Sequence, residues 1–448
     1  MTVQSTQPTH VRYLIIAMLF VVSAFSYGDR VALSIAGIAF AKDLHLNALK
    51  MGYLFSGFSW AYVAAQLPAG GLLDRYGTKR IYGLSILGWS ACALLLGFAG
   101  YLSAAMAFTA IFVLRLLSGL AQAPVFPGNG RIVTAWFPTA ERGLASAIFN
   151  SSQYFALVLF APIMGWLTVV LGWRSCFWFL ALLGGVLTLV WFRVIYGVEE
   201  HPRINRLEID HIEQGGGLAN IGGNRGIRSG AAGLTWRAVG KLLSNRMLVG
   251  IYLGQYCIVT LTWFFLTWFP IYLSQARHMS IIKVGVVAAL PALCGFIGGI
   301  LGGFTSDKLL RAGHSLTFAR KTPIVLGMTL SMLMMVCNFV DTQWLIVLLM
   351  SVAFFGKGFG ALGWSVISDT SPKGMIGLNG GLFNLIGNLA GITTPIIIGY
   401  LVQKTGSFHD ALFFVGGIAV LAIVSYVPIV GEIRRLEVSD LFGADAVS

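Results

Sequence analysis

The feature that most constrains this chain is a series of twelve apolar stretches, each long enough to cross a lipid bilayer. They fall near residues 12–39, 49–73, 80–100, 105–135, 145–170, 174–197, 246–274, 281–306, 322–340, 343–369, 377–403 and 409–431. A hydrocarbon core of ~30 Å is spanned by ~20 helical residues rising ~1.5 Å each. No water is available there to satisfy backbone N–H and C=O groups, and a helix satisfies them within its own segment. The expected fold is an all-α membrane protein with twelve transmembrane helices. The first ten residues are polar, no small-residue cleavage site follows, and the first apolar run is too long for a signal-peptide core, so it counts as a span.

Charge follows the same plan. A net charge of +13 raises the question of nucleic acid. With the N-terminus placed in the cytoplasm, only six of the thirty Lys and Arg fall in external loops (Lys42, Lys50, Arg174, Arg277, Lys283, Lys404). Three more (Arg30, Arg115, Lys357) lie deep within spans, and the other twenty-one face the cytoplasm or its helix ends. That inside bias is the signature of an inserted bundle with both termini cytoplasmic, not of a nucleic-acid surface. Cys92, Cys176, Cys257, Cys294 and Cys337 are scattered singly through apolar runs and read as small buried hydrophobes. No G-x-x-x-x-G-K-[ST], H-E-x-x-H or G-x-S-x-G occurs, and the seven His are dispersed. ATP-driven pumping, a metal site, a cofactor and enzymatic chemistry therefore have no support.

The chain also repeats itself. Gly70 and Asp74, in the turn closing the second span, recur as Gly303 and Asp307, both 233 residues later. Pro138, Gly143, Leu144, Phe149, Asn150 and Gly165 recur as Pro372, Gly377, Leu378, Phe383, Asn384 and Gly399, all 234 residues later. Two separate stretches thus report one duplication of six spans in parallel orientation, an arrangement that places a substrate site at midplane between the halves. The expected organisation is an N-terminal bundle over 1–197, a cytoplasmic linker over 198–245 and a C-terminal bundle with a short tail over 246–448. The linker carries an amphipathic stretch at 204–214, a Gly-rich basic segment at 222–233 and a second short basic helix near 235–246. Gly298-x-x-x-Gly302 in the eighth span reads as a close-packing face.

The few deep polar residues carry the chemistry. Asp29 and Arg30 lie within Ser26–Arg30, inside the first apolar run, at ~24 Å along a helix beginning near Tyr13. Intramembrane ions of this kind face a bundle interior or a wet cavity, and Gly28 adds a weak point to the helix at the same depth. Arg115 and Lys357 reach the middle third of the bilayer, and Gln122 lies two turns beyond Arg115 on the same face. If Arg30, Arg115 and Lys357 all face a central cavity, both halves contribute to a positive site suited to an anion charged at both ends. Alternatively, Arg115 is a structural partner of Asp29, and Lys357 extends its stem to the interface. Asp29, the lone midplane acid, is placed to gain and lose a proton as access alternates. Asp74 and Arg75 at the cytoplasmic mouth read as a gate or packing motif.

Residues 70–80, G-G-L-L-D-R-Y-G-T-K-R, resemble the loop signature of the major facilitator superfamily. Y-G-D-R at 27–30, W-x-Y at 60–62, R-L-L-S-G-L-x-Q-A-P-x-F-P at 115–127 and W-F-F-L-T-W-F-P at 263–270 are similar to its anion:cation symporter family. H-S-L-T-F-A-R-K at 314–321 and G-G-L-F-N at 380–384 extend the match, which is nearest to bacterial glucarate/galactarate permeases, relatives of the galactonate transporter. The resemblance implies proton-coupled uptake of sugar acids across the bacterial cytoplasmic membrane; a monomer that binds no nucleic acid is expected. It implies Asp29 as the proton-linked acid, Arg30 as the carboxylate-binding arginine, and Tyr27, Tyr62, Gln153, Trp364 and Asn384 as cavity residues. Gln122 departs from the galactonate-type pattern, which has a second titratable glutamate there. Lys357 departs too, replacing a neutral residue, and an added cation fits a second carboxylate. A monocarboxylate symporter of galactonate or hexuronate is the alternative substrate reading. A sugar-acid sensor is the non-transport one, and no appended signalling domain supports it.

Overall fold

The computed structural model describes residues 9–217, 236–372, 375–437 and 441, and these are helical with no strand among them. Eleven segments have the length and apolarity of membrane spans: Val11–Asp43, Thr78–Ala99, Ala104–Trp136, Arg142–Val170, Arg174–Val194, Arg246–Gln275, Ile281–Arg311, Leu316–Phe339, Gln343–Thr370, Ile376–Thr405 and His409–Ile429. The twelfth, Ala48–Tyr76, is 29 residues long and stands second in the chain. Its apolar run is diluted by Ser56, Ser59, Trp60, Tyr62 and Gln66. The first span runs unbroken through Gly28. That glycine leaves room for Phe160 of the fifth span, whose ring would lie 2.7 Å from a methyl there.

The apolar runs conceal several irregularities, among them a turn at Ala288 in the eighth span and a π-helical end, Ser425–Ile429, in the twelfth. The fourth span breaks at Ala123–Pro124, where proline has no N–H to continue the ladder. A π-turn occupies Phe264–Trp268 in the seventh span, and the ninth ends in a 3₁₀ stretch, Met332–Phe339. The tenth stops at Phe359 and resumes at Gly363.

The described residues nearest both chain ends and those of the linker helix that docks on them share one end of the bundle. The linker helix Arg206–Gln214 docks there: Glu208 accepts from the backbone N–H of Val11 at 3.0 Å and of Arg12 at 3.2 Å. That carboxylate caps the first span's free amides and pairs with the Arg12 guanidinium at 3.3 Å. The second linker helix is Trp236–Ser244, whereas the basic segment at 222–233 lies outside the described residues. Past the twelfth span, the Leu436 N–H donates to Thr370 O at 3.0 Å, tying the tail to the same end.

The core shows where the halves join. One apolar cluster covers the N-terminal half and continues through Trp268, Tyr272, Ile398 and Phe408 at the end away from the linker. A second, including Leu248, Met328, Phe383 and Tyr426, is confined to the C-terminal half near the linker. The halves therefore share a core at one end and separate at the other.

Glycines make the closed end. A methyl at Gly52 would lie 2.5 Å from Pro395 O, and one at Gly399 2.6 Å from Ala48 O, so the second and eleventh spans touch backbone to backbone. A methyl at Gly285 would lie 2.7 Å from Ala161 O, and one at Gly165 3.1 Å from Ile281 O, which does the same for the fifth and eighth. These crossings are repeats of one another: Gly52 and Gly285 are 233 residues apart, Gly165 and Gly399 234. Between them, Ser34 of the first span donates to Thr267 O of the π-turn at 2.6 Å, and Trp268 Nε1 donates to Pro395 O at 3.1 Å.

Candidate functional site

Where the halves separate they enclose a cavity of about 600 Å³, within the range that holds a small ligand. Leu144 and Ala147, early in the fifth span, and Trp364 and Asn384, at the linker ends of the tenth and eleventh, form its mouth. It opens toward the linker end and is closed by the glycine crossings opposite.

Arg30 projects from the first span into this cavity. Its guanidinium carbon lies 4.7 Å from the Tyr27 ring centroid, 4.4 Å from Phe58, 5.8 Å from Tyr62 and 5.7 Å from Trp263. Rings stabilise the cation through their faces and leave its fork of donors free for an anion. No acidic side chain pairs with Arg30 among the described residues, and its buried Nε has no partner there.

The C-terminal half contributes Lys357, whose position the packing dictates. The flanking Gly356 and Gly358 press against the backbones of Gly327 in the ninth span and Gly295 in the eighth. With those directions filled, the Lys357 side chain is left the cavity, where Nζ reaches the Tyr154 hydroxyl at 3.4 Å. The residue is only 4% exposed and, among the described residues, lacks an acidic partner. Gly298 and Gly302, as expected, are a packing face, set against Phe355 O and Phe359 O of the tenth span.

Asp29 points the other way. Its Oδ2 accepts from Arg115 Nη1 at 2.8 Å and from Gln122 Nε2 at 3.3 Å, and Gln122 Oε1 accepts from Ser26 at 2.7 Å. Asp29, Arg115 and Gln122 are each at most 1% exposed, and none lines the cavity. The shared face of Arg115 and Gln122 is real, but it is turned to Asp29. This corrects the picture of three cations around one ligand. The buried Phe58 ring is shared by the two systems: Arg30 sits over it at 4.4 Å and Arg115 at 5.2 Å.

Tyr27, Tyr62, Gln153, Trp364 and Asn384 all line the cavity with Arg30 and Lys357. Asp74 and Arg75 lie apart at the linker end: Asp74 pairs with Arg131, and Arg75 stacks over Tyr76 at 5.3 Å. Sequence reasoning missed Tyr154, Gln255 and Asn388, which also line the cavity. Tyr154 stands beside Gln153, but hydropathy gives depth and not the direction of a side chain. Among the described residues no three His, Cys, Asp or Glu gather as a metal site.

A D-xylose-proton symporter structure superposes with a TM-score of 0.70 over 94% of this chain and 98% of that one, at 14% identity, a likeness of fold. Over 428 residues the chain is 56% identical to the protein named probable galactarate/D-glucarate transporter from Bacillus subtilis (strain 168), covering 96% of this chain and 94% of that protein. The protein of that name from Escherichia coli (strain K12) is 54% identical over 97% of both chains. The Major Facilitator Superfamily model matches residues 19–319. Twelve spans in two repeated halves, a cavity between them open at one end, and these matches lead to one conclusion: the chain belongs to the Major Facilitator Superfamily.

Proposed function

We propose that this protein is a secondary transporter that imports a six-carbon sugar diacid, galactarate or glucarate, by proton symport through alternating access. The observation that carries this reading is a pair of cavity cations, Arg30 and Lys357, supplied by opposite halves and lacking acidic partners among the described residues. Two unpaired cations so little hydrated are poorly stabilised unless an anion bridges them. A dianion meets both, with the Arg fork on one carboxylate and the Lys point charge on the other. The names of the relatives agree with that chemistry.

Asp29 supplies the proton site. Ionised, it holds Arg115 and Gln122; protonated, it loses most of that attraction and frees Arg115 beside Phe58, the ring that also bears Arg30. Protonation and the substrate clamp are thus linked through one aromatic residue. The cavity is complete within one chain, which supports action as a monomer, and the charge bias supports cytoplasmic termini in a bacterial inner membrane. Residues 1–197 and 246–448 act as the two rocking bodies, and Asp74 and Arg75 belong to their cytoplasmic gate.

A monocarboxylate sugar acid is the second reading, and it leaves Lys357 without a partner. Uptake of galactarate, glucarate and galactonate into proteoliposomes, with and without an inward proton gradient, tests both. Gradient-driven accumulation of the diacids is expected; accumulation of galactonate alone would reverse the order of the two readings.

A further inference from the structure

Gln255 of the seventh span lies in a slot made by two glycines. A methyl at Gly363 of the tenth span would come 2.6 Å from Gln255 Oε1, and one at Gly387 of the eleventh 2.8 Å from its Cγ. The side chain runs through space that exists only because both neighbouring residues lack a Cβ, and it emerges on the cavity wall.

Its amide also differs from the other amides there. Asn150 Nδ2 is committed to Ser146 O at 2.8 Å, Gln153 Nε2 to Asn150 O at 3.2 Å and Asn388 Nδ2 to Asn384 O at 2.8 Å, while Asn384 Oδ1 accepts from Asn388 Nδ2 at 3.1 Å. The Gln255 amide has no hydrogen-bond partner among the described residues. Its donor and its acceptor are therefore both open to a ligand while packing fixes their position.

We propose that the Gln255 amide, held between Gly363 and Gly387, grips two adjacent substrate hydroxyls and makes this cavity selective for polyhydroxylated diacids. One hydroxyl donates to Oε1, and Nε2 donates to the oxygen of the next. The two cations define the charge of the ligand and its ends, but they are indifferent to what joins the carboxylates. A fixed donor–acceptor pair on the wall of the same cavity discriminates, because a chain without hydroxyls leaves the amide desolvated and unpaired. The inference rests on the diacid reading above.

The test is calorimetric affinity of purified protein for galactarate, D-glucarate and adipate, the six-carbon diacid without hydroxyls. Gln255→Met keeps the volume and removes both hydrogen-bonding atoms. It should weaken both aldarates by at least about tenfold and leave adipate within about twofold. Gly363→Ala keeps the amide but displaces it from the slot, and it should reproduce the same selective loss. An equal fall for all three ligands in Gln255→Met, or unchanged aldarate affinity in either variant, overturns the inference while the diacid reading stands. Wild-type protein that binds none of the three overturns the diacid reading and this inference with it.

Discussion

The two halves of this protein share a scaffold and divide the chemistry. At the closed end, repeat-related glycines do the same job twice: Gly52 and Gly285 each lie against the backbone of the opposing half, as do Gly399 and Gly165. In the cavity only the Asn150/Asn384 pair is repeated, and the charged groups are not. The N-terminal half holds a buried ion pair and an arginine ringed by aromatics, whereas the C-terminal half offers a lysine without an acidic partner among the described residues and the Gln255 amide. The residue 233 positions after Arg30 is Trp263, whose ring faces that same guanidinium at 5.7 Å. Motion needs two equivalent bodies, so the crossing positions are alike. On the function proposed above, a ligand with two carboxylates and a proton need different groups on each side, which fits the unlike charged positions.

If the coupling acid belongs to the N-terminal half alone, Asp29→Asn should abolish accumulation driven by a pH gradient while exchange of substrate persists. The variant leaves Arg115 buried and unpaired, which destabilises by about 3–5 kcal/mol. The double variant Asp29→Asn/Arg115→Gln removes both charges and should recover thermal stability without recovering accumulation. Normal gradient-driven uptake in either variant would place proton coupling elsewhere.

The C-terminal half's contribution is tested by Lys357→Asn. Removing one partner of a desolvated charge pair costs about 2–5 kcal/mol, much of it from the charge left behind. Binding of galactarate should therefore fall well beyond tenfold, while galactonate, with one carboxylate, keeps its affinity. A parallel fall for both ligands would make Lys357 structural and erase the division of labour between the halves.

Arg30→Lys asks a finer question of the opposite wall. Charge is retained and the planar fork is lost, so the affinity for galactarate should drop about tenfold, less than for Lys357→Asn. Unchanged affinity would mean that the ring cage around Arg30 positions a charge and nothing more.

Apolar runs made the twelve spans legible, and the offsets of 233 and 234 made the halves legible, because burial in lipid and duplication both leave their record along the chain. Azimuth was harder. Arg115 and Gln122 were correctly assigned to one face, but which neighbour that face meets depends on how the first and fourth spans pack. Lys357 shows the converse: its flanking glycines were visible, yet only their contacts with Gly295 and Gly327 explain why the side chain must enter the cavity. The π-turn at Phe264–Trp268 was hidden altogether, since hydropathy is blind to an i→i+5 hydrogen bond.

The smallest effect belongs to the closed end, and it tests the symmetric side of the comparison. Backbone contact across the halves leaves no room for a methyl at Gly52 or Gly285, where it would meet carbonyl oxygens at 2.5 and 2.7 Å. Alanine at either should part the helices there and shift the population toward a state open at the end away from the linker. At Gly165 the corresponding separation is 3.1 Å, so a shift of a few tenths of an ångström accommodates the methyl. Gly165→Ala is therefore expected to move the equilibrium least of the three. Spin labels at Lys50 and Lys404 report the second–eleventh crossing, and labels at Leu171 and Lys283 the fifth–eighth, all four positions being exposed. Distance distributions should gain a longer component in Gly52→Ala and Gly285→Ala, with little change in Gly165→Ala. If only one crossing responds to its own tight glycine, the closed end hinges on one side, and the equivalence of the two bodies fails where the sequence repeat is clearest.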